Sequence, residues 1–337
     1  MAHLSEEEKC RFQPLQSHFS VGMIGSDPPE HTRLRGLINR AFTPRVIASL
    51  QEPVTSLVDG FLDEVERRGT GEMDIVADLA HPLPATVIAE LIGAPFESRE
   101  QFKVWSNGIL AFQGTGRTTP EVLERSQSDL TEMRAFISDL VEQRRKVPAD
   151  DLLSRMVEGD MLTEAELLTT CVTLLTAGHE TTTSLIGNGM LTLLRHPEQM
   201  ARLRDNRDLM PTAIEEMLRY ESPLQRNPRK LASDVELHGA QMRDGDFVLQ
   251  LLGSANRDEG QFEQPQHFDI TRKPNRHLSF GFGIHFCLGA PLARLEAPIA
   301  IGAMLDRMPS MQLAEDPRWI EHGLLRGLRS LRVSYGR

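Results

Sequence analysis

The sequence predicts a mainly α protein with a small β component. Amphipathic periodicity runs through the first two-thirds of the chain, and one unbroken helical pattern extends from Thr163 to about Arg195. After Glu221 the texture changes to short alternating runs broken by glycine, the pattern of a small antiparallel sheet.

Taken in order, SDPPEHTRLRGLINRAF reads as a helix with Asp27 at the N-cap, Pro28 at the first helical position and Glu30 three residues after the cap. Amphipathic helices follow over 46–68, 84–92, 98–112 and 120–146, separated by turns bearing glycine and proline. Thr163 and Glu166 form a capping box at the start of the longest element, which is about 50 Å long at 1.5 Å per residue. Leu167, Val172, Leu175, Ile186 and Leu191 place apolar surface nearly all round it, so it belongs in the centre of the fold. Its middle, AGHETTT, is a poor helix former, and a weak stretch in a buried helix implies a purpose. KLASDVELHGAQMRDGDFVLQ supplies the strands, and GLLRGLRSLRVSYG a mixed tail. No repeat or Ser/Gly-rich linker divides the chain, so one domain over 1–337 is expected.

The 337 residues are 40% hydrophobic and 25% charged, ordinary values for a folded soluble protein. No apolar run is long enough to span a bilayer, and MAHLSEEEKCR lacks the apolar core of a secretory signal; a cytoplasmic location is expected. A formal charge of −11 argues against nucleic acid as the main partner but allows a local basic face. Cys10, Cys171 and Cys287 lie far apart, which disfavours disulfides and excludes a multi-cysteine zinc site. Cys10 and Cys171 read as small buried hydrophobes.

Cys287 has different neighbours. In FGFGIHFCLGAPLAR it lies just before a helix expected near Pro291, so unpaired N–H groups and the helix dipole point at its sulfur and favour thiolate. Gly281, Gly283 and Gly289 permit a tight loop and close approach of backbone to a flat ligand. A GxGxxG nucleotide loop fails, because position 286 is Phe. Phe280, Gly283, Cys287 and Gly289 resemble the haem-binding loop of the cytochrome P-450 family. The resemblance implies the P-450 fold with its long central helix over a haem, heme b (iron protoporphyrin IX). It makes Cys287 the iron ligand, with Phe280, Gly281 and Gly289 around the cofactor, and a cysteinate favours O–O cleavage.

Ala177-Gly178-His179-Glu180-Thr181-Thr182 is the second constellation. A zinc-protease HExxH fails because position 183 is Thr, and a lone helix threonine ordinarily bonds its own backbone. In the resembled family this stretch covers the distal haem face. Ala177, Gly178 and Thr181 would leave room for O2, Thr181 would donate a hydrogen bond to it, and Glu180 would relay protons from solvent. Glu216 and Arg219 resemble the family's ExxR helix, with Arg272 as third member of a structural charge network. His31 and Arg35, Arg229 and His285 match positions that hold the haem propionates, chemistry suited to cations. His277 reads as structural.

The resemblance runs from about Asp27 to the C-terminus. Family members carry a further helix, sheet strands and another helix before that point, whereas 26 residues precede it here. N-terminal strands and helices are therefore expected to be lacking and haem retention to be weaker. Leu174, Ala177, Leu224 to Asn227 and Leu324–Leu325 would line the pocket, and 106–126 would form a mobile cover. Gln225, Arg226 and Asn227 suit a substrate with oxygen functions. Electrons would come from a ferredoxin and an NAD(P)H-dependent ferredoxin reductase, with Arg67, Arg68 or Arg294 helping to dock it. The implied activity is hydroxylation or epoxidation of a small organic substrate in secondary or lipid metabolism. A peroxide-driven peroxygenase and a truncated haem-binding module are the alternatives.

Overall fold

The computed structural model describes residues 10–114, 119–158 and 162–336. Helices dominate the first part: α1 (Gln13–Val21), α2 (Glu30–Ala41), α3 (Pro44–Ser49), α4 (Gln51–Arg68), α5 (Pro82–Ile92), α6 (Arg99–Gly114), α7 (Pro120–Lys146) and α8 (Leu152–Glu158). The long α9 (Glu164–Arg195) follows, then α10 (Pro197–Asp205), α11 (Met210–Tyr220), the short α12 (Leu252–Ala255) and α13 (Ala290–Arg307).

Two helix boundaries differ from the sequence reading. α2 begins at Glu30 after Pro29, and Asp27 contributes its backbone carbonyl, accepting from the His31 N–H at 2.9 Å, instead of a side-chain cap. Pro28 precedes a second proline, a position that resists helical ψ, so the helix cannot start there. The pattern over 46–68 is split at Leu50 into α3 and α4, with the Thr43 hydroxyl accepting from the Val46 N–H at 3.3 Å.

The expected cover over 106–126 is mostly helix. Residues 115–118 lie outside the described residues; on either side α6 and α7 pack together, burying Ile109 and Leu123, and the Ser126 hydroxyl donates to the Gly108 carbonyl at 2.6 Å. Polar residues there decorate two helices with apolar stripes.

α9 begins with the capping box: the Thr163 N–H donates to Glu166 at 2.8 Å and the Glu166 N–H to the Thr163 hydroxyl at 3.3 Å. The helix is buried nearly all round. Its weak centre stays helical because it is packed within the fold, and there side chains bond the helix's own carbonyls: Thr176 donates to Val172 at 2.9 Å and His179 Nδ1 to Leu175 at 2.7 Å.

The β component is small and antiparallel. β2 (Asn227–Lys230) pairs with β5 (Phe247–Gln250), and β3 (Val235–Leu237) with β4 (Ala240–Met242) through a turn in which His238 and Gly239 have φ of 50° and 80°. β1 (Glu72–Asp74), β6 (Gln312–Leu313) and β9 (Arg332–Ser334) form a sheet in the order β1-β9-β6, and β7 (Arg318–Trp319) pairs with β8 (Leu328–Ser330). Buried apolar side chains from Phe12 to Val333 form one connected core.

Candidate functional site

Cys287 closes a loop between Phe280 and the start of α13. Its N–H donates to the Phe280 carbonyl at 2.8 Å, and the Gly281 N–H to that of Leu278 at 2.8 Å. Gly281 and Gly283 have φ of 73° and 70°, left-handed values that tighten the loop at little cost. Arg294 lies over the Phe280 ring, 4.5 Å from its centroid.

Cys287 is open to solvent, although protein surrounds it closely enough to disfavour a charged sulfur. Burial pushes its thiol up; the backbone N–H groups of Gly289 and Ala290 and the charges of Arg35 and Arg294 act in the opposite direction without overcoming it. The helix start therefore offers donors to the sulfur, as its position implies, but does not produce a thiolate unaided. A bound metal cation would complete the deprotonation. Cys171 is buried as expected, its thiol pushed up to about 12, whereas Cys10 is exposed and is not a core residue.

Beside the loop lies a cluster of basic side chains. The His31 and His285 rings meet edge-on with centroids 4.4 Å apart. Burial first, then the positive charges of His31, Arg229 and Arg35, hold His285 below the usual histidine range, and Asp27 opposes them only in part. His31 is 3% exposed and its Nε2 has no hydrogen-bond partner. Among the described residues neither Arg35 nor Arg229 forms an ion pair. Basic groups crowded together, one with an unpartnered buried nitrogen, would be relieved by a further anion.

The opposite holds beneath the loop. Arg219 is completely buried and donates twice to Glu216, at 2.8 Å each, and to the carbonyls of Asn256, Pro265 and His267 at 2.8–3.1 Å. Arg272 reaches the same carboxylate at 3.1 Å, joined by the Asn275 amide at 3.1 Å and the Asp269 N–H at 3.0 Å. The three predicted charges meet. Asn256 extends the network: its amide donates to Ser222 and Ser279 at 2.6 and 2.8 Å, and its oxygen accepts from the Leu278 N–H at 2.7 Å. That link from α11 to the cysteine loop was not read from sequence, where Asn256 is merely a polar residue after a strand.

On α9 the buried surface opens on one side, where Leu174, Ala177, Gly178, Glu180 and Thr181 are half-buried or exposed. The Thr181 hydroxyl donates to the Ala177 carbonyl at 3.2 Å, the ordinary arrangement for a helix threonine. Burial raises the Glu180 carboxyl, but its contact with His179 and the nearness of His179, His81 and Lys103 hold it below the usual range. Gly178 does not contribute open space: a Cβ there would come within 3.0 Å of Ile88, so its smallness admits α5. Leu224 and Leu325 form an antiparallel bridge, bringing two expected wall segments side by side, and Gln225 turns back to donate to Ser222 at 2.6 Å.

The sequence profile of the family described as "Cytochrome P450" matches residues 10–324. The chain belongs to the cytochrome P450 family. The biotin biosynthesis cytochrome P450 of Bacillus subtilis (strain 168) is 43% identical over 334 residues, covering 98% of this chain and 84% of that protein. The crystal structure of P450BioI in complex with hexadec-9Z-enoic acid ligated acyl carrier protein superposes with a TM-score of 0.94 at 43% identity, covering 99% of this chain and 86% of that one. Myxobacterial CYP267B1 in complex with myristic acid gives 0.90 at 41% identity, covering 100% and 85%.

As a P450 monooxygenase the chain requires haem, and its own residues fit one. Cys287 is solvent-exposed, and the basic side chains beside it suit two carboxylates. The suggested docking cations are engaged elsewhere: Arg294 donates to Glu215 at 2.7 and 2.8 Å, Arg68 pairs with Asp78 at 2.9 Å, and Arg67 pairs with Glu64. His277 lies 2.9 Å from the same Glu215. Among the described residues no helix is long and apolar enough to cross a membrane.

Proposed function

We infer that this P450 binds heme b through Cys287, with His31, Arg35, Arg229 and His285 on the propionates and Phe280, Gly281 and Gly289 around the ligand. It takes electrons in the cytoplasm from a ferredoxin reduced by an NAD(P)H-dependent ferredoxin reductase. The observation that carries the reading is the exposed strip on an otherwise buried α9, where an alcohol and an acid stand at adjacent positions.

Haem ligated by cysteinate supplies the centre at which O2 is activated, the thiolate pushing electron density that favours O–O cleavage. Ala177 leaves room on the exposed face. Glu180, its side chain 16% exposed and held below the usual carboxylate range, accepts protons from solvent and passes them inward. Thr181 turns its hydroxyl proton from the Ala177 carbonyl towards the oxygen substrate. A peroxide-driven enzyme has no need of this pair, so the pair favours a monooxygenase.

The substrate is an apolar compound carrying an oxygen function, and fatty acyl chains come first, because two structures at 41–43% identity hold them. Leu174, Leu224 and the 324–325 segment supply apolar wall, with Arg226 and Asn227 half-buried beside it. Titration with myristic or hexadec-9Z-enoic acid should shift the haem spin state; no shift with either removes this substrate class.

Cys287→Ala should abolish turnover and the reduced-CO absorption band of thiolate ligation; retention of both removes the assignment of the iron ligand. Thr181→Ala should keep haem but divert NAD(P)H electrons to peroxide. Unchanged coupling to product would show that the hydroxyl has no part in proton delivery.

A further inference from the structure

Where α5 packs against α9 lies a group of side chains of which the oxygen chemistry uses only one. His81 sits where a π-helical turn (Val76–Ala80) passes into α5, and α5 packs along the centre of α9. There it meets His179 and Glu180. One ligand atom from each of the three residues lies within 4.8 Å of the other two. The imidazoles face each other edge-on with centroids 5.8 Å apart.

Both histidines are core residues, His81 7% and His179 1% exposed, and in each the Nε2 atom is buried without a hydrogen-bond partner. Such an omission is costly in a folded interior. For His179 the tautomer follows from geometry. Its Nδ1 lies 2.7 Å from the Leu175 carbonyl, which can only accept, so Nδ1 carries the proton and Nε2 presents a lone pair. That lone pair lies 3.3 Å from Glu180 Oε1 without the alignment of a hydrogen bond. An imidazole fixed by Nδ1–H on a backbone carbonyl, with its free Nε2 beside a carboxylate, is the prepared state of a metal ligand.

We propose that His81, His179 and Glu180 form a site for a divalent transition-metal ion of the zinc class. Two imidazole nitrogens and one carboxylate oxygen are a donor set that zinc accepts while keeping a fourth position for water. Ligand atoms sharing one tetrahedral zinc stand about 3.3 Å apart, the spacing His179 and Glu180 already have, so His81 alone must close in. Occupancy ties up the Glu180 carboxylate and so couples metal level to proton supply along the exposed strip of the same helix. Only this consequence for turnover rests on the role inferred for Glu180; binding itself does not.

The test uses haem-loaded protein, in which Cys287 is engaged, stripped with chelator and dialysed against zinc chloride. One zinc per chain should be retained, and His81→Ala and His179→Ala should each weaken that equivalent at least tenfold while the reduced-CO band shows the haem pocket intact. X-ray absorption at the zinc edge of the unmutated protein supplies a second measurement that needs no variant. It should show an N/O shell with outer scattering from two imidazoles. Absence of bound zinc, a shell of water or sulfur, or equal affinity in all three proteins would overturn the site, leaving the two nitrogens to a bridging water. Zinc bound as described with unchanged coupling of NAD(P)H to product would uphold the site and remove the role of Glu180 in proton delivery.

Discussion

Two groups of charges flank the cysteine loop, and they are opposites. Beneath it, Glu216 has every contact a buried carboxylate needs, from two guanidinium groups, a side-chain amide and a backbone N–H. Beside it, His31, Arg35, Arg229 and His285 repel one another and leave a buried nitrogen unpaired. A satisfied network is part of the scaffold and can be assessed without any ligand. An unsatisfied one of a single sign describes its ligand by what it lacks. The first set is complete within the chain; the second is not.

Breaking the satisfied set should have the largest effect. Glu216→Leu leaves Arg219 buried without its carboxylate, and removing one partner of a buried pair costs about 3–5 kcal/mol, a large part of the stability of a typical domain. Denaturant unfolding of haem-free protein should show this loss; a change below about 1 kcal/mol would mean that the network is not structural.

An interior cation can also be avoided by losing its proton. His18, 5% exposed, is lowered to about 4, first by burial and then by Arg134. The folded protein therefore binds fewer protons than the unfolded chain between that value and the ordinary 6.5, and stability falls as pH drops through this window. The full loss is about 3 kcal/mol at 1.36 kcal/mol per unit. His18→Phe should flatten this part of the stability–pH curve; an unchanged slope would assign the acid limb to other groups, His81 being the next to test.

How much of this was legible in sequence follows the same division. Local signals worked where the cause was local: the capping box at Thr163, the apolar circumference of α9, and the i,i+3 spacing of Glu216 and Arg219. They failed where the cause was distant. Nothing near Glu72 announces that it pairs with Ser334, and nothing in Gly178 announces Ile88. The motif at Cys287 identified the loop, but the upward push on its thiol depends on surrounding protein mass that no motif contains. His81 was missed for the same reason, since its partners lie about a hundred residues away, on α9.

Against the unsatisfied set the effect should appear in haem binding and leave folding alone. Arg35→Leu removes one of several like charges, so haem-free protein should be no less stable, while haem dissociates about tenfold faster, the equivalent of about 1.4 kcal/mol. Transfer of haem to a scavenging apoprotein measures this. Faster unfolding of the haem-free variant with unchanged haem transfer would place Arg35 among the scaffold charges instead.

The smallest effect is expected from a second completely buried glutamate. Glu296 on α13 is as inaccessible as Glu216, but among the described residues neither of its oxygens has a hydrogen-bond partner, and burial raises its carboxyl well above the usual range. Burial therefore favours its uncharged form. Glu296→Gln replaces one uncharged polar group with another of the same shape and should alter stability by less than about 1 kcal/mol. Glu216→Gln removes a carboxylate from between two guanidinium groups and should cost several times as much. Two identical substitutions at equally buried positions then differ only in whether the carboxyl has partners. Equal losses at the two sites in matched unfolding curves would show that burial alone, without the surrounding partners, sets the cost.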